Sequence, residues 1–145
     1  MLSNSISINS KTNFTMQPLD CPINLNWYGK TILIVDNNFI SAFLLKEYFS
    51  VTSLKLIHHT YNEVLNIKID ERIDLIINGI NLIEMKTGLG MTAIIKKKYP
   101  GIPLIAYSSS VHDYEIKACY NAGCNDFIEK PVDFDYLDEL LAKYL

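Results

Sequence analysis

Asp36, Ser108 and Lys130 put a carboxylate, a hydroxyl and an ammonium each at the end of a short apolar run. Such a set can simply pair internally, Asp36 with Lys130 and Ser108 bonding nearby, which is a structural role. A hard cation such as magnesium asks for oxygen ligands, usually carboxylates. Here one carboxylate is followed by the neutral Asn37. A fourth apolar run, Ile73 to Asn78, ends at Gly79, which offers neither a nucleophile nor a metal ligand. Cys21, Cys119 and Cys124 form no CxxC, and nothing in their spacing brings His58, His59 or His112 to them. They read as reduced, mostly buried thiols, without zinc.

These residues need elements to position them. Thr31 to Val35 is a β-branched apolar run bounded by Asp36-Asn37-Asn38, the pattern of a strand buried on both faces. Phe39 to Phe49 carries apolar residues at helical spacing, with Asn37 or Asn38 able to cap it. The pattern then predicts a strand over Leu54 to His58, a short helix over Tyr61 to Ile67, and a strand over Ile73 to Asn78. A loop runs to Gly88, and a helix from there to about Lys98 stops at Tyr99-Pro100-Gly101. Ile102 to Tyr107 is a strand, Val111 to Asn121 a helix closed by Ala122-Gly123, Phe127 to Glu129 a strand, and Phe134 to Tyr144 the last helix. Five alternating β-α units predict an α/β fold: a flavodoxin-like, doubly wound five-stranded parallel sheet of order 2-1-3-4-5, with helices on both faces. That order places a site beyond the carboxyl ends of strands 1 and 3, where Asp36-Asn37 and Gly79 fall.

Four segments then become specific. Ile32 to Asn38, Asp74 to Gly79, Pro103 to Ser108 and Ala122 to Pro131 follow one another at the spacing of the receiver domain of two-component response regulators. The chain resembles that family over roughly residues 30 to 145. The resemblance implies a pocket in which two acidic residues and an acceptor aspartate hold magnesium, while a lysine and a hydroxyl bind the phosphoryl oxygens. Asp36 matches the first acid, Asn37 stands where the second belongs, and Gly79 stands at the acceptor. Ser108 matches the switch hydroxyl, Lys130 the lysine and Phe127 the aromatic switch position. Where the family usually has a proline four residues past the acceptor, this chain has Ile83, and its loop is one residue longer. Shifting the alignment by one would place Asn78 or Ile80 at the acceptor, and neither accepts a phosphoryl group. Glu84 is the nearest carboxylate in sequence, and its bland reading is a solvated loop acid.

Composition narrows the partners. A net charge of -3 gives no basic footprint for nucleic acid, and no apolar run approaches a membrane span. Residues 1–29 are polar, contain Pro18 and Pro22, and show no sustained period, so they read as an extension or linker ahead of a domain over 30–145, docked if at all through Trp27 and Tyr28. Phe39 and Phe43 lie one helical turn apart, at positions that the resembled receivers keep polar, near the rim where histidine-containing partners dock. Exposed, they make an apolar docking patch; the alternative is that the extension covers them. Tyr114, Tyr136 and Tyr144 fall on the last two helices, a face receivers use for dimers or targets.

The expected protein is a stand-alone, cytoplasmic receiver-like domain, not an enzyme. Its degenerate pocket leaves magnesium weak or absent and no other cofactor. Its work is then phosphorylation-independent binding to a histidine kinase, a phosphotransfer protein, another regulator or a second copy. The alternatives are a magnesium-dependent phosphoacceptor using a displaced carboxylate, and a ligand-binding domain that has reused the vacated pocket.

Overall fold

The computed structural model describes residues 27–66, 68–81, 85–109 and 112–145. Five strands, β1 (Thr31–Val35), β2 (Lys55–His59), β3 (Leu75–Ile80), β4 (Leu104–Ser108) and β5 (Asp126–Glu129), alternate with α1 (Phe39–Phe49), α2 (Tyr61–Asn66), α3 (Met85–Lys98), α4 (Asp113–Asn121) and α5 (Phe134–Tyr144). All four strand pairings are parallel and the order is β2-β1-β3-β4-β5. This is the expected doubly wound sheet. β1, β3 and β4 are buried along their whole length, which is why they read as unbroken apolar runs.

Alternation along the strands divides the core in two. Ile32, Ile34, Leu75, Ile77, Ile105 and Tyr107 pack toward α1 and α5, against Leu45, Phe49, Leu137 and Leu141. Leu33, Val35, Ile76, Ile80, Leu104 and Ala106 pack on the opposite side with Tyr61, Val64, Met91, Ile95 and Cys119. Trp27 joins the first cluster, edge-on to Phe49 at 6.3 Å, while Tyr28 is exposed.

Several boundaries differ from the sequence pattern. β2 begins one residue later than expected, in register from Thr31↔Lys55 to Val35↔His59. β3 spans Leu75–Ile80, not Ile73–Asn78, so Gly79 lies inside the strand opposite Tyr107, with Ile80 opposite Ser108. Burial of Ile80 against Tyr61 and α3 carries the ladder past the glycine. Asp74 sits ahead of the strand, where its carboxylate accepts the Thr31 N–H at 2.9 Å and pairs with Arg72. α3 starts at Met85, so Gly88 lies within it. A Cβ at Gly88 would stand 2.7 Å from Ile80 Cγ2, and its absence lets the helix sit close to β3. Ile83, Glu84 and Val111 lie outside the described residues.

Candidate functional site

The carboxyl ends of β1, β4 and β5 converge on Asp36. Its side chain is 1% exposed. Oδ1 accepts the Asn38 N–H at 2.7 Å, and Oδ2 receives Lys130 Nζ at 3.2 Å. Lys130, 11% exposed, leaves β5 at a cis Lys130–Pro131 peptide; its N–H donates to Ser108 O at 2.7 Å and its ammonium lies 4.9 Å from the Tyr107 ring centre. Burial pushes the Tyr107 phenol above its ordinary range, and the nearby Asp36 charge adds to the rise. Ser108 is fully buried at the end of β4.

Position 79 faces this pair. A Cβ built on Gly79 would overlap the Asp36 carboxylate and reach within 2.8 Å of Asp36 Cβ. The volume a side chain at 79 would need is therefore filled by the neighbouring acid, held there by Lys130. Asn37 reaches the start of α2. Its Oδ1 accepts the Tyr61 N–H at 2.9 Å, tying the β1 end to the start of α2, and the Tyr61 hydroxyl donates to Gly79 O at 2.5 Å. Asn38, not Asn37, caps α1 by accepting the N–H groups of Ile40 and Ser41. Asn78, fully buried, points to α3 and donates to Thr92 Oγ1 at 2.8 Å.

The described residues of the pocket do not fit a magnesium ion. Asp36 is already paired with an ammonium, and the neighbouring amide oxygen is committed to a backbone N–H. Among the described residues no three acidic, histidine or cysteine side chains gather as a metal site.

Two grooves flank the pocket. The first, about 390 Å³, is lined by Phe39, Ile40, Phe43 and Lys46 of α1 and His58 of β2. Phe39 meets the His58 ring edge-on at 5.6 Å, and His58 Nε2 donates to Asp36 O at 2.8 Å. Phe39 and Phe43 are 68% and 58% exposed, and the patch extends to Ile40 and Leu44, whose exposure sequence spacing alone did not reveal. The second, about 370 Å³, runs between α4, β5 and α5, past Phe127, Ile128, Pro131 and Tyr136. Phe127 is half-buried there, against the core on the α2 and α3 side. Tyr114 and Tyr136 are exposed; Tyr144 is bonded to Asp126 and Asn125.

The profile of the response regulator receiver domain matches residues 32–142. The chain belongs to the response regulator receiver family. Solved receivers superpose over most of it. A response regulator from Thermotoga maritima is 25% identical, with a TM-score of 0.69 over 79% of this chain and 96% of its own. The chemotaxis protein CheY4 from Vibrio cholerae, at 18% identity, shares the fold with a TM-score of 0.70 over 80% of this chain and 98% of its own. Among curated proteins, the CAI-1 autoinducer sensor kinase/phosphatase CqsS of Vibrio cholerae is 27% identical over 86% of this chain and 18% of its own length. The transcription factor SKN7 of Chaetomium thermophilum is 34% identical over 51% of this chain and 10% of its own. This chain thus spans less than a fifth of either protein. Among the described residues of this receiver no helix is long and apolar enough to cross a membrane.

Tyr61, His58 and Tyr107 are the site residues that the sequence did not single out. Each acts through a contact with Gly79, Asp36 or Lys130 that only the folded sheet creates.

Proposed function

We propose that this receiver is a pseudo-receiver that works by phosphorylation-independent protein binding. The observation that carries the reading is the filled acceptor position. Gly79 has no side chain, and Asp36, neutralised by Lys130, occupies the space where one would project. Transfer of a phosphoryl group needs a nucleophile and positive charge to meet its oxygens. Here the nucleophile is missing and the lysine is engaged. Its partners are a histidine kinase, a phosphotransfer protein, another regulator or a second copy, met in the cytoplasm. The kinase and transcription-factor relatives support that class, and Phe39 with Phe43 is the proposed contact.

Incubation with acetyl phosphate and magnesium, followed by intact-mass measurement, tests this. The mass should not change. An acid-labile adduct on Glu84, or on any acid lining the pocket, would instead establish a working receiver with a displaced acceptor.

A further inference from the structure

The outward face of α1 carries two rows of side chains. Phe39, Phe43 and Lys46 form the row beside β2, with His58 across the groove. Ile40, Leu44 and Glu47 form the next row, one residue further round the helix. All six are exposed. We propose that this face is a homodimer interface, in which a second copy of the chain lays its own α1 alongside, parallel, across a two-fold axis that runs along the helix. The proposal rests on the pseudo-receiver reading for its contact, Phe39 with Phe43, and names the partner.

Three observations select that occupant. The first is area. Phe39 and Phe43 are 68% and 58% exposed, and Ile40, Leu44 and Val51 are between 47% and 73% exposed. With about 150–250 Å² for each ring and less for each aliphatic side chain, the patch offers roughly 300–500 Å² of apolar surface. Two copies double it, and homodimer interfaces are about 65% apolar, so the pair buries roughly 900–1,500 Å² in all. That reaches into the range of specific interfaces, about 1,200–2,000 Å².

The second is shape. A two-fold contact needs a patch complementary to itself. Here a ridge, Ile40 with Leu44, stands beside a groove lined by Phe39, Phe43 and His58. In a parallel pair each helix sets one flank against the opposite flank of its partner at the same height, so each ridge enters the other copy's groove. The third is charge. Lys46 and Glu47 stand at one level on the two rows. Parallel pairing brings each Lys46 to the other copy's Glu47. Antiparallel pairing would set Lys46 against Phe39 and Glu47 against Ile40, charge on apolar surface. A partner of one sign would leave one of the two charges unpaired, whereas a second copy carries both.

Sedimentation of the full chain, without magnesium, phosphoryl donor or kinase, tests this. A concentration-dependent dimer is expected. Phe43→Glu and Leu44→Glu should each give a monomer with the circular dichroism of the parent. Lys46→Glu and Glu47→Lys should each weaken the dimer, because each gathers four like charges in one layer. Mixed in equal amounts, these two variants should form a heterodimer roughly tenfold tighter than either homodimer. A chain that stays monomeric at about 100 μM overturns the proposal. So does a dimer that survives Phe43→Glu and Leu44→Glu, which puts the contact on another face, and so does a mixture that gains no affinity, which excludes the parallel pairing. A monomer leaves the pseudo-receiver reading to the intact-mass measurement, and a phosphoryl adduct there leaves the dimer standing, so the two failures are separate results.

Discussion

Lys130 Nζ and Asp36 Oδ2 lie 3.2 Å apart with both side chains withdrawn from water. Removing one partner leaves the other charge buried and unpaired, which costs about 3–5 kcal/mol in comparable sites. Lys130→Met should lower stability by that order in urea denaturation. Asp36→Asn in the same chain should recover much of the loss, because no net charge is then left behind. Gly79→Ala should cost about 1–3 kcal/mol by overpacking against the Asp36 carboxylate. That cost should shrink in an Asp36→Ala background, since contacting residues do not add independently; an undiminished cost would mean that the acid does not occupy the space. The Asp36–Lys130 pair was legible in the sequence because each residue closes a strand at the same sheet end. The role of Asn37 was not. It faces an N–H group on Tyr61, 24 residues away, that no local pattern announces.

α1 illustrates how elements share one site between local and distant causes. Asn38 starts it, a signal readable in sequence. Its apolar residues run all round, so spacing alone could not say which side is buried. Packing assigns Ala42, Leu45 and Phe49 to the core and leaves Phe39, Ile40, Phe43 and Leu44 outward. Phe39→Glu with Phe43→Glu should therefore stay within about 0.5 kcal/mol of the parent in stability, as exposed substitutions do, while abolishing capture of its signalling partner. Unfolding by this double change would show that both rings are covered. The last helix matched its expected bounds, Phe134 to Tyr144, because Asp133 caps a strongly amphipathic stretch. β3 was misplaced because Asn78-Gly79 reads as a stop, whereas tertiary burial of Ile80 extends the ladder. At α2, Thr60 and Glu63 exchange reciprocal bonds across the first turn. This capping box precedes a helix of only six residues, which explains why a weak apolar period still forms one.

At the scale of the molecule, buried acids set the alkaline limit. Burial pushes the Cys124 thiol from its ordinary 9.0 to about 12, with Cys119 adding to the rise; burial and a hydrogen bond to Asp138 push the Tyr48 phenol from 10.0 to about 12. Both folded values are raised, so the folded state keeps protons that the unfolded chain releases. Their contribution is complete below pH 9 and is lost as the pH climbs toward 12. Stability measured in urea should fall through that window, and Cys124→Ala should flatten the slope.

A receiver with a full acidic pocket crowds like charges that metal and phosphoryl transfer then rearrange. Among the described residues here, one acid meets one ammonium. A ligand shifts an equilibrium only by its differential affinity for two states. If the pocket seats neither magnesium nor a phosphoryl group, as the pseudo-receiver reading proposes, there is no such difference to exploit. Ser108 at the end of β4 and Phe127 in β5 should accordingly hold one arrangement, set by packing. Amide shifts of both residues, and of α4 and α5 around them, should stay unchanged when magnesium and beryllofluoride, a phosphoryl mimic, are added together. A saturable shift that Asp36→Ala abolishes would show that the pocket still reads a ligand, and the fixed-state view of this receiver would fall with it.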